Sequence, residues 1–86
     1  MELNQLEFFT AVAETGSFTK AANHMYVSHS TASRAVSALE EELGVRLIER
    51  GNRVVALTEA GERLLPKAKE ILRLADEIET EMRAIL

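Results

Sequence analysis

The chain has 86 residues, 47% apolar and 28% charged, the proportions of one small folded domain, with a net charge of −4 that argues against indiscriminate coating of nucleic acid. It has no cysteine, which excludes disulfides and cysteine-based zinc sites and fits a reducing compartment. Glu2, Glu7 and Glu14 interrupt any secretory leader and no apolar run could span a bilayer, so the expected location is cytoplasmic.

Leu3, Leu6, Phe9 and Ala13 recur at helical spacing and predict a helix over residues 3–14, ended by Gly16. Phe8 and Val12 form a second apolar stripe on it, which predicts contacts on two sides. Ser17 or Thr19 caps a short second helix running to about Met25, with Phe18, Ala21, Ala22 and Met25 turned inward. After Tyr26–Val27, Ser28 reads as the N-cap of a third helix. Ala32, Val36, Leu39 and Leu43 share its inner face, and Gly44 stops it. Two helices joined by so tight a turn form a helix-turn-helix unit.

Arg46–Arg50 and Arg53–Leu57 flank Gly51–Asn52 and predict a short β-hairpin, a wing directly after the helix-turn-helix. Thr58 caps a fourth helix, with Glu59 and Glu62 in its first turn, where the helix dipole favours acids. Along it Leu64, Ala68, Ile71, Ala75, Ile78, Met82 and Ile85 follow spacings of 4, 3, 4, 3, 4 and 3. That apolar heptad predicts a helix–helix seam for dimerisation, with Phe8 and Val12 offering a second surface for the same helix. Pro66 should bend it or weaken one turn. The expected fold class is therefore mainly α with a small β-hairpin. Residues 1–57 form a winged helix-turn-helix and residues 58–86 a linker and dimerisation helix.

Charge is unevenly placed. Between Thr15 and Leu39 there is no acid, while Lys20, His24, His29 and Arg34 are present; seven acids follow Leu57. The outward arc of the third helix holds Ser30, Ser33, Arg34, Ser37 and Glu41, with Ser28, His29 and Thr31 at its tip. Small hydroxyl side chains allow close approach, helix N-termini attract phosphate, and the guanidinium of Arg34 matches the O6 and N7 acceptors of guanine. A helix entering the major groove tip-first has this profile. Arg50 and Arg53 on the wing would lie near the duplex backbone or a minor groove. Arg46 and Arg50 could equally pair with Glu40–Glu42 and Glu49. Lys20, in the first turn of the second helix, is a phosphate contact on this reading.

Other chemistries find little support. His24 and His29 lie five apart across a turn, with no cysteine or acid beside them, so no metal or other cofactor is expected. Ser28 and His29 are adjacent on a helix, diverge, and have no orienting acid, so no enzyme is expected. The rival class is a helical protein-interaction module that dimerises without binding DNA. It accounts for the heptad and the acidity, but not for the basic wing or the acid-free helix.

The segments LEFFTAVAETGSFTKAA (Leu6–Ala22), VS…SR (Val27, Ser28, Ser33, Arg34), LEEELGVRLIER (Leu39–Arg50) and LTEAGERLLP (Leu57–Pro66) resemble the N-terminal DNA-binding domain of LysR-type transcriptional regulators. The likeness covers essentially the whole chain. It implies a bacterial, sequence-specific regulator that pairs its long helices antiparallel in a homodimer, with tetramers in the full-length protein. By position it implies base contacts from Ser28, His29, Ser30, Ser33 and Arg34, backbone contacts from Thr19 and Lys20, and a wing contact from Arg53. His29–Ser30 stands where the family usually has Gln-Pro, and Ala35 where Gln is frequent. The resemblance also implies a two-lobed effector domain, through which alone a small molecule would act. These residues hold no such domain, so the chain reads as the DNA-binding fragment of a longer protein, the favoured reading, or as an unusually short one. The expected partner is double-stranded DNA bearing a partly palindromic operator, with half-sites about 34 Å apart or a multiple of that.

Overall fold

Four helices form where the capping residues place them: α1 (Leu3–Thr15), α2 (Phe18–His24), α3 (His29–Leu43) and α4 (Glu59–Ile85). The computed structural model describes residues 1–51 and 54–86. Ser17 Oγ accepts the Lys20 N–H at 3.1 Å, Ser28 Oγ accepts that of Thr31 at 3.2 Å, and Thr58 Oγ1 accepts that of Gly61 at 3.1 Å. Each bond satisfies a first-turn amide that the helix itself cannot. Gly16 and Gly44 end α1 and α3 at φ of 72° and 73°, the left-handed conformation that glycine adopts without a β-carbon clash.

The core gathers one face from each of these elements. Leu6, Phe9 and Val12 of α1 meet Ala21 and Ala22 of α2, and Ala32, Val36 and Leu39 of α3. Leu47 and Ile48 close it from one side and Ala68 of α4 from another. Burying a side chain the size of Leu39 or Phe9 contributes roughly 1.5–3 kcal/mol. Leu43, expected on the same inner face of α3, is 42% exposed, because the helix ends there and the chain turns away at Gly44.

The base of the predicted hairpin is present among the described residues. Ile48 and Leu57 form one antiparallel bridge, supported by Glu49 N–H to Ala56 O at 2.8 Å and Thr58 N–H to Leu47 O at 3.0 Å. The predicted tip, Asn52–Arg53, lies outside the described residues.

Helix α4 is 27 residues long. Pro66 stands inside it without ending it, although a proline there removes one backbone hydrogen bond. Its first turns belong to the domain: Ala68 is fully buried, and Leu64, Leu65, Ile71 and Leu72 pack partly buried against the core. Lys69 Nζ meets Glu14 Oε2 of α1 at 2.9 Å. Further along, Arg73 bonds Glu70 and Glu77 on the solvent side, and its hydrogen bond holds the Glu70 carboxyl below the usual carboxylate range. No helix among the described residues is long and apolar enough to cross a membrane.

This placement corrects part of the expected dimer seam. Phe8, Val12 and Ala68 are 6%, 0% and 0% exposed within the single chain, so they are spent on its own core and have nothing to offer a second copy. The heptad is continuous because α4 packs first on α1 and then runs on past the domain. Only beyond Leu72 does its apolar edge stand in solvent, at Leu74, Ile78, Met82 and Ile85. Ala75 is half-buried.

Candidate nucleic-acid interface

The outer arc of α3 follows from its inner one. Once Ala32, Val36 and Leu39 are buried, the helical period turns Ser30, Arg34 and Ser37 to solvent and leaves Thr31 and Ser33 half-buried at the margins. Ser28 and His29 are exposed at the tip. There the Ser28 hydroxyl lies 3.1 Å from that of Ser30 and 2.9 Å from that of Thr31, so the three form one bonded cluster around the cap. Ser28 is therefore already engaged in holding the start of α3.

Three of the predicted contacts, from three elements, come together at one cleft. Thr19 of α2, His29 of α3 and Arg50 at the base of the wing line a space of about 330 Å³, with Phe18, Glu49 and Val55 in its walls. The imidazole of His29 packs against Phe18, ring centres 5.7 Å apart and planes at 51°. Lys20 is exposed beside Thr19. Ser37 is exposed but lines a separate groove with Glu41 and Arg46. Arg53 falls outside the described residues.

Arg50 has a partner within the chain. Its Nη2 bonds Oε1 of Glu40, and Arg46 Nη1 approaches the same oxygen at 3.7 Å. The other carboxylate oxygen, Oε2, accepts the backbone N–H groups of Leu47 at 2.8 Å and Ile48 at 3.1 Å. Glu40 is only 5% exposed. Reading by charge alone groups it with the acidic run Glu40–Glu42 and misses this role. A signal is present, since Val36 to Glu40 is a spacing of four and places Glu40 on the core side of α3 as firmly as Leu39.

Residues 3–62 match the model for bacterial regulatory helix-turn-helix proteins of the lysR family. An uncharacterized HTH-type transcriptional regulator in the ibpB-leuC intergenic region of Azotobacter vinelandii is 46% identical over 77 residues, covering 90% of this chain and 54% of that protein. The probable HTH-type transcriptional regulator LrrA of Synechococcus elongatus is 45% identical over 82 residues, covering 95% of this chain and 28% of that one. The chain thus corresponds to only a part of each. Among solved structures, the BenM_DBD/benA site 1 DNA complex superposes with a TM-score of 0.94 at 40% identity, over 99% of this chain and 96% of that one.

Proposed function

The chain belongs to the lysR family of bacterial regulatory helix-turn-helix proteins, and on that premise we propose that it binds double-stranded DNA sequence-specifically as a homodimer and regulates transcription. One observation carries the reading: the exposed arc and tip of α3 bear hydroxyl groups, an imidazole and one guanidinium, with no acid before Glu40. Such a face offers donors to base edges and phosphates and repels neither.

In this reading Ser28, His29, Ser30, Thr31, Ser33, Arg34 and Ser37 face the major groove. Thr19 and Lys20 touch the backbone, and Arg53, outside the described residues, is the wing contact. Residues 1–57 read DNA and residues 58–86 join two copies, through Leu64, Ile71, Ala75, Ile78, Met82 and Ile85. Leu74 widens that edge, and the first turns of α4 also serve the reading domain. The protein works in the cytoplasm on a partly palindromic operator, and any small-molecule control resides in a further domain. The likeness to a domain solved on DNA favours this over a helical module that binds only protein.

The test is selection of bound fragments from a random duplex pool, followed by titration of the selected and a scrambled duplex at low and moderate salt. The reading expects tighter binding to the selected duplex, weakening steeply with salt. Equal binding to both, or none at low salt, overturns it.

A further inference from the structure

The carboxylate of Glu40 is the joint between α3 and the wing. A buried carboxylate is costly unless its lone pairs are met, and here donors meet both oxygens. Oε2 takes the amides of Leu47 and Ile48, and Oε1 takes the guanidinium of Arg50, with that of Arg46 close by. All four donors lie on the segment leading into the wing, and Ile48 is the residue that bridges Leu57 on the returning segment. Glu40 itself sits on the helix whose opposite arc carries Arg34. One side chain therefore fixes the place of the wing relative to the reading face.

Charge points the same way. Arg50 is 41% exposed, at the cleft it shares with Thr19 and His29, yet its charge is matched by the Glu40 carboxylate, whose next cation among the described residues, Arg46, stands at 3.7 Å. Leaving Glu40 to reach a phosphate would strand a buried anion, which is the costly outcome.

Resting on the DNA-binding reading above, we propose that Glu40 is a positioning residue that sets the register between α3 and the wing, and that Arg50 is its counter-ion rather than a phosphate contact. The arm from Arg46 to Arg50 is then a strut, and phosphate contact falls to other cations.

The experiment uses the full 86-residue chain, with Arg50→Gln, Glu40→Gln and the double variant, on a selected and a scrambled duplex over a range of salt. Arg50→Gln should leave the slope of log affinity against log salt unchanged, whereas removal of a true phosphate contact would reduce it by about one per protomer. Glu40→Gln keeps an oxygen for the Leu47 and Ile48 amides but frees Arg50. The slope should then steepen by about one per protomer, scrambled duplex should bind more tightly, and the hydroxyl-radical footprint should fade at its flanks. The double variant should return the slope to that of the parent. A reduced slope in Arg50→Gln overturns the proposal, as does a Glu40→Gln chain that folds and matches the parent in slope and footprint. If either single variant fails to fold, the double variant, which leaves neither a buried anion nor an unmatched cation, decides the matter: a slope below that of the parent overturns the proposal. A parent chain that binds no duplex at all sinks the DNA-binding reading, and this proposal with it.

Discussion

Gly61, in the first turn of α4, lies directly against the backbone carbonyl of Leu47. A β-carbon on Gly61 would collide with the carbonyl oxygen and stand 3.1 Å from the carbonyl carbon and 3.3 Å from the Leu57 Cβ. The start of α4 can therefore meet the segment entering the wing only because residue 61 has no side chain. Gly61→Ala should destabilise the chain by about 2–3 kcal/mol, since backbone on both sides must move apart. Urea unfolding at fixed protein concentration checks this, because the proposed dimerisation would make apparent stability depend on concentration. An unchanged midpoint would mean that α4 shifts freely.

The two cations assigned to DNA should fail in different ways. Arg34→Ala should cost on the order of 1–3 kcal/mol on the selected duplex and relax preference at one base pair. Lys20→Ala should weaken all duplexes alike and lower the salt slope by about one for each phosphate it no longer neutralises. Equal losses on selected and random duplex for Arg34→Ala would remove it from base reading, and an unchanged slope would remove Lys20 from the backbone.

The outer half of α4 should be separable from the fold. Ile78 and Met82 are 58% and 52% exposed, while the inner half is held by Ala68 and its neighbours. Replacing both by Glu should leave helix content and unfolding cooperativity intact. The same change should shift the mass in sedimentation from dimer to monomer and weaken DNA binding. A dimer that survives both charges would place the seam elsewhere.

Tyr26 sits in the turn between α2 and α3 at φ 57° with 95% of its surface exposed. A bulky residue in the left-handed region is strained, and this one buries nothing in return. Tyr26→Asn should raise stability by about 0.5–1 kcal/mol, because Asn tolerates that conformation. Thermal unfolding is the readout, and a lower midpoint would show that the ring makes a contact worth more than the strain.

Much of this architecture is written in local chemistry. Ser17, Ser28 and Thr58 start helices because a hydroxyl can take a first-turn amide within three residues, and Gly16 and Gly44 end them because only glycine turns left at no cost. The outer arc of α3 follows from the same helical period that buries Ala32, Val36 and Leu39. Such features depend on neighbours a turn away, so they can be read along the chain. The base of the hairpin, where Ile48 bridges Leu57, follows from two β-capable runs around Gly51, whereas the tie of its first arm to α3 through the Leu47 and Ile48 amides depends on Glu40 and is not local.

Three decisions belong to the assembled chain alone. Glu40 is seven residues from Leu47 and ten from Arg50, and only the folded path makes it a buried anchor rather than one more acid in a run. Gly61 is neither a turn nor a cap, and its need appears only where α4 crosses the Leu47 backbone. The heptad of α4 could not say where it serves its own domain and where a second copy, since an apolar stripe has the same period against either partner. Periodicity records that a face is to be buried; which surface arrives to bury it is settled by contacts between residues far apart in the chain.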